Sequence, residues 1–165
     1  MEPIILTHER IAALSRINRY NGWVNRDYSV LEHSVIGALT LREMGESRMV
    51  QRAFLLHDLE ETEFTDMIRP HKQKYMNDKY TKDVRAWVRN LSIETGVPVH
   101  VIEGWAVARM DDMMCMCEMP VVYTGDRRHT PYIKSQQAEI ASDMIKSAVY
   151  MGGAAREQFW KMWYA

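Results

Sequence analysis

An all-α fold is predicted by three features of the chain. Apolar residues recur at three- and four-residue spacing along nearly its whole length, alternating strand-like runs are almost absent, and the periodic stretches are separated by Asn21-Gly22, Gly45, Gly96, Pro98 and Gly152-Gly153. Thr7 caps a first helix with Ile11, Leu14 and Ile17 on one face and Glu9 and Arg10 toward water. Asn21-Gly22 breaks it, and residues 20–28 form a polar connection rich in aromatic and basic groups. A second helix from about Ser29 carries Val30, His33, Ile36 and Gly37 and ends near Gly45. The third starts near Ser47 and presents Val50, Phe54, His57 and Glu61 along one side.

Thr62 to Asn77, with Pro70 and several lysines, reads as an irregular loop or short turn. A fourth helix over Tyr80–Glu94 has Val84, Trp87, Val88 and Leu91 at core spacing, and Gly96 and Pro98 stop it. The fifth, Val99–Glu118, is nearly apolar along its length and is expected to run through the centre of the bundle. A turn-rich loop at 120–132, a sixth helix over Ile133–Met151 and a short Trp-rich segment complete the chain.

The 165 residues match one domain with a sizeable core, and the 47% hydrophobic and 26% charged shares are those of an ordinary globular protein. A formal net charge of -1 argues against binding to duplex nucleic acid, which favours a basic excess. The first residues, MEPIILTHER, lack a signal-peptide pattern, and no apolar run approaches the ~18 residues that span a bilayer. A cytoplasmic protein is expected. Cys115 and Cys117 lie two apart on a helix, point to different faces and read as inert reduced thiols. The thirteen methionines read first as flexible core filling.

Histidines and acids in three helical stretches carry the chemistry: His33 in EHS, His57-Asp58 in LLHDLEE, and Asp111 or Asp112 in ARMDDM. His8, His71, His100 and His129 read as ordinary core or surface residues. His57 differs because an acid follows it directly after the apolar run AFLL, where a carboxylate is costly to bury unless it is paired or bound to metal. Asp111 and Asp112 likewise interrupt an apolar run, so at least one faces inward, and periodicity does not choose between them. Two histidines and two aspartates from separate helices make a four-ligand set for a divalent metal with positions left for water and substrate.

These residues resemble the HD-domain phosphohydrolases, in particular the compact bacterial and phage members that include 5'-deoxynucleotidases and dATP triphosphohydrolases. The likeness covers about residues 8–118: RINRYNG followed by YSVLEHS, the central HDLEETEFTDMIRPHK, and MDDMMCMCE with its trailing Glu. It implies His33, His57, Asp58 and Asp111 as metal ligands, with Glu118 seven residues after Asp111 favouring that residue over Asp112. It implies zinc, cobalt or manganese as cofactor, iron being compatible with the same donors. Glu61 of HD-x-x-E is expected to orient or deprotonate the water, and Asp66 to position water or substrate or assist the leaving group. Trp23 stands where relatives often carry His, and Met110 where a small residue commonly precedes the last ligand.

Arg19, and after it Lys72, are the candidates to clamp phosphate, and Tyr20 and Trp23 to stack on a base. The expected activity is hydrolysis of a deoxynucleotide at the phosphorus on the 5' oxygen, with dATP first and deoxynucleoside monophosphates second. A nucleotide-binding module without catalysis leaves Glu61 and Asp66 without a task, and an interaction scaffold leaves the metal-ligating acids unexplained. A phage origin would place the protein in the host cytoplasm. Self-association is expected through C-terminal aromatics such as Trp160 and Trp163.

Overall fold

The computed structural model describes residues 5–64, 78–125, 135–148 and 151–165. Its helices are α1 (His8–Leu14), α2 (Val30–Glu43), α3 (Arg48–Leu56), α4 (Glu61–Phe64), α5 (Asp78–Thr95), α6 (Val99–Ile102), α7 (Trp105–Val122), α8 (Gln136–Ala148) and α9 (Ala155–Tyr164). No strand occurs among the described residues beyond two isolated bridges, Asn18 with Ser29 and Val24 with Tyr123. The all-α architecture expected from the sequence is what the chain adopts.

The helix at the centre is α2, not the one from Val99 onward. Every residue from Val30 to Leu41 is buried, because VLEHSVIGALTL is apolar or small nearly all the way round. Its start is fixed by a capping box. The Ser29 side chain accepts from the Glu32 backbone N–H, and the Glu32 carboxylate accepts from Ser29 N–H at 3.0 Å. Glu32 also accepts from Arg26 at 3.2 Å and from the Gly152 backbone at 3.0 Å, so one buried acid ties the helix to both the preceding connection and the C-terminal segment.

The expected first, third and fifth helices are bounded or divided differently: the first ends at Leu14, where the Ser15 hydroxyl turns back to the Ala12 carbonyl, and leaves Ile17 outside it. The third ends at Leu56, and His57 and Asp58 lie in the turn that follows, with Glu61 opening a separate helix. His57 Nδ1 donates to the Phe54 carbonyl at 2.7 Å, satisfying an acceptor that a helix end leaves unpaired. The fifth is broken at Glu103-Gly104 into α6 and α7, where a Cβ on Gly104 would press on the His100 carbonyl. The α7 part is amphipathic rather than buried throughout: Val107, Met110, Met114 and Glu118 face inward, while Ala108, Arg109 and Asp112 are exposed. It also runs past Pro120 to Val122, since the carbonyls of Val121 and Val122 accept from Asn25 at 2.9 Å each and hold the last turn in place. The sixth is seen over Gln136–Ala148, within the expected span.

Trp160 and Trp163 are half-buried on the molecule's own core instead of lying free for a partner. Arg52 stacks on the Trp163 ring at 5.2 Å and donates to its carbonyl, and His8 packs on Trp160 at 4.4 Å. No described helix is long and apolar enough to cross a membrane.

Gly37 is the closest approach between the central helix and its neighbour, since a Cβ there would overlap the Phe54 ring. Phe54 in turn packs on His57 with ring centroids 4.3 Å apart. Gly37→Ala is therefore expected to destabilise the fold by about 1–3 kcal/mol through overpacking, read as a lower urea midpoint at unchanged slope.

Candidate metal centre

Three elements bring the sequence-predicted ligands to one point. His33 lies on the first turn of α2, directly after the capping residue Glu32, and its side chain is fully buried. His57 and Asp58 come from the turn after α3, and Asp111 from the middle of α7. Donor atoms of His33, His57 and Asp58 lie within 4.8 Å of one another. Asp111 falls outside that trio, yet its Oδ1 is 3.2 Å from His33 Nε2 and 3.8 Å from His57 Nε2, so it completes the set. Asp58 Oδ2 stands 3.2 Å from His57 Nε2 and 3.9 Å from His33 Nε2. Asp112 is exposed, which resolves in favour of Asp111 the choice that periodicity left open.

Both imidazoles are oriented from behind. His33 Nδ1 meets Glu118 Oε1 at 2.6 Å, and His57 Nδ1 meets the Phe54 carbonyl at 2.7 Å, which leaves the two Nε2 atoms toward Asp58 and Asp111. Neither Nε2 has a hydrogen-bond partner although both are buried. His33 Nε2 faces Asp111 most closely, and His57 Nε2 faces Asp58, each at 3.2 Å. Two buried ring nitrogens turned toward two carboxylates are donors of the kind that hold a divalent ion, and the residues present fit one. Any of zinc, cobalt and manganese accepts this mixture of nitrogen and oxygen.

The electrostatics follow from burial opposed by neighbours. Burial works against charge on His57, but Asp58 and Asp111 outweigh it and raise its pKa well above the ordinary value. Burial and Arg19 work against charge on His33, and Glu118 and Asp111 raise it. Burial pushes the Asp58 and Asp111 carboxyls up, and the two imidazoles bring both below the usual range. Glu118, wholly buried, is likewise pushed up by burial but held at about 2 by Arg19 first and then His33.

Arg19 lies beneath this cluster. Its Nε is 3.2 Å from Glu118 Oε2, its Nη1 3.7 Å from Asp58 Oδ2, and its Nη2 donates to Cys115 Sγ at 3.2 Å. Tyr20 donates its hydroxyl to Glu118 at 3.0 Å, and Arg19 stacks over its ring. Trp23, by contrast, is 64% exposed and contributes no polar contact to the cluster. Glu61 is buried at the start of α4, its N–H bonded to the Asp58 carbonyl. Asp66 and Lys72 lie outside the described residues, as do His71 and His129. His8 and His100 are remote from the centre, the first against Trp160 and the second exposed.

Two participants are not evident from the sequence, and a third has a partner its spacing did not foretell. Tyr28, fully buried, donates to Glu118 at 2.8 Å, and Cys115 sits 3.6 Å from Asp111 Oδ1. The signal for Cys115 was its position four residues after Asp111 on one helix, and for Glu118 a full two turns after it. Tyr28 carries no comparable signal, since it reaches the site from an irregular connection. A cavity of about 780 Å³ between α7 and α8 is lined by Asp112, Met113, Cys117 and Ser142 and holds none of the four ligands. Donor geometry rather than cavity size locates the centre.

No family model and no curated protein sequence matches the chain.

The contrast between adjacent aspartates gives a direct test. Asp111→Asn is expected to lower affinity for zinc or manganese by at least tenfold, whereas Asp112→Asn, exposed on the other side of α7, keeps the wild-type value in competition with a chromogenic chelator. Equal losses in both, or loss in Asp112→Asn alone, refute the assignment.

Proposed function

We propose that the protein is a metal-dependent phosphohydrolase of deoxynucleotides, with dATP the first substrate to test. The observation that carries this reading is the convergence of His33, His57, Asp58 and Asp111 with both Nε2 atoms turned inward and both Nδ1 atoms tied behind. The resemblance of residues 8–118 to the HD-domain phosphohydrolases supports the same chemistry. These four residues would hold a divalent ion, which would supply Lewis acidity, lowering the pKa of a water and offsetting charge on a phosphoryl oxygen.

The remaining work falls to the chain's own groups. Glu61, three residues beyond Asp58, takes the proton of the attacking water. The water oxygen bonds to the phosphorus attached to the 5' oxygen, the P–O5' bond breaks, and a proton is delivered to the departing 5' oxygen, a task the resemblance assigns to Asp66. Arg19, whose guanidinium burial would weaken but Glu118 and Asp58 keep charged, holds positive charge toward the phosphoryl oxygens through Nη1. Lys72 adds to it. The exposed Trp23 indole offers the base a face, while the Tyr20 hydroxyl is committed to Glu118. From dATP the products are deoxyadenosine and intact triphosphate.

Glu61→Ala leaves all four ligands in place, so it should still bind metal and dATP while single-turnover release of deoxyadenosine falls by roughly 10²–10⁴-fold. Metal content is measured on the same preparation, and full turnover in that variant refutes the role of Glu61. Reaction in oxygen-18 water is expected to label the triphosphate. Label confined to free phosphate with dADP accumulating refutes the attack site, and hydrolysis of deoxynucleoside monophosphates in preference to dATP reassigns the substrate.

A further inference from the structure

Glu118 combines three side-chain hydrogen bonds with an ion pair. Its Oε1 takes His33 Nδ1 at 2.6 Å and the Tyr28 hydroxyl at 2.8 Å, and its Oε2 takes the Tyr20 hydroxyl at 3.0 Å and faces Arg19 Nε at 3.2 Å. The side chain is wholly excluded from solvent, so no water can replace a lost partner at low cost. Of these three hydrogen-bonding groups and one ion-pair neighbour, Tyr20 and Arg19 belong to the turn at 19–22, and His33 is the proposed metal-side imidazole.

We propose that Glu118 is a positioning residue that locks His33 in the Nδ1–H tautomer and holds Arg19 with the same carboxylate, so that the metal side and the phosphate side of the site are set together. This inference rests on the reading of His33 as a metal ligand through Nε2. It follows from an acceptor inventory. The two tyrosine hydroxyls can rotate to accept, but the N–H of Arg19 Nε cannot, and His33 Nδ1 accepts only if its proton moves to Nε2. A glutamine at 118 has one acceptor oxygen and one NH₂ group, so its NH₂ must face either Arg19 or His33. Facing Arg19 sets donor against donor beside a cation. Facing His33 is relieved by shifting the ring proton to Nε2, the nitrogen aimed at Asp58 and Asp111.

Glu118→Gln, isosteric but not equivalent, is therefore expected to convert His33 to the Nε2–H form. Nitrogen-15 correlations of the metal-free protein, recorded in alkaline buffer where the rings are neutral, should give Nδ1–H in the wild type and Nε2–H in the variant. Affinity for zinc should fall by about 10–100-fold in the same variant. Tyr28→Phe removes a donor from Oε1 without changing the acceptor, so it should keep the Nδ1–H tautomer and a zinc affinity close to wild type. A Glu118→Gln protein that retains Nδ1–H and full affinity overturns the inference, as does Nε2–H in the wild type, a measurement that needs no variant to fold. Tyr28→Phe losing as much affinity as Glu118→Gln overturns it too, by assigning the effect to packing. A wild type that binds neither zinc, cobalt nor manganese but shows the stated tautomers refutes the hydrolase reading while supporting the positioning role.

Discussion

Three carboxylates, those of Asp58, Asp111 and Glu118, converge on the first turn of a fully buried helix with the Arg19 guanidinium as their cationic neighbour. With the two imidazoles neutral, this cluster carries two uncompensated negative charges inside the fold, and isolated buried charge is among the most expensive arrangements a protein can hold. Two protons or one divalent ion restore neutrality. The raised pKa values of His33 and His57 are the first solution, each ring gaining charge against the cost of burial because a carboxylate stands opposite. A divalent ion at the proposed centre would be the second, and it would use the same Nε2 atoms. Proton and metal therefore compete for one place, as is general for histidine ligands.

The rest of the fold serves this cluster by fixing the elements that deliver it. The capping box at Ser29 sets where α2 begins, and hence where His33 lies, while Glu32 also reaches the Arg26 side chain and the Gly152 backbone. The connection that carries Arg19 and Tyr28 is pinned at both ends: Asn18 and Ser29 form a bridge, and Asn25 and Val24 attach to the last turn of α7. Arg10 bonds Thr62 and Glu63, so α1 is tied to the short helix that presents Glu61. Phe54 fills the notch left by Gly37 and backs the His57 ring, which makes packing and ligand orientation one constraint.

Much of this was legible in the sequence, for identifiable reasons. Helical periodicity located α1, α2, α5 and α8, and Gly45 and Gly96 stand just beyond the ends of α2 and α5, whereas α1 stops at Leu14, well before Asn21-Gly22. The His-Asp doublet after an apolar run marked a place where polarity enters the core, and His33, Asp58 and Asp111 met there. What periodicity did not convey was context. An apolar stretch from Val99 reads as a central helix, yet its exposed face at Ala108, Arg109 and Asp112 appears only when its neighbours are present, and the truly central helix carries a histidine and a glutamate. Pro120 reads as a terminator, but a proline removes one N–H and the helix continues when its final carbonyls find donors, here from Asn25. The break after Leu56 has no glycine or proline to announce it. A side chain bonding its own preceding turn produces no pattern in composition.

The turn at Arg19–Gly22 is where local preference and site geometry conflict most. Asn21 and Gly22 adopt left-handed backbone at φ 52 and 80, as the Asn-Gly pair favours, but Tyr20 does so as well at φ 55. A bulky residue in that region costs on the order of 1–3 kcal/mol. The Tyr20 hydroxyl bonds the wholly buried Glu118 carboxylate, and a hydrogen bond to a charged acceptor contributes roughly 1.5–3 kcal/mol. The two magnitudes are comparable, so the bond to Glu118 is enough to hold the unfavourable conformation. The benefit lies in what the turn then presents: Arg19 is directed inward beneath Asp58 while Trp23, four residues on, is directed outward to solvent. An ordinary right-handed turn at Tyr20 would give up the bond to Glu118 and, with it, the fixed relation between the cation under the ligands and the aromatic face at the surface.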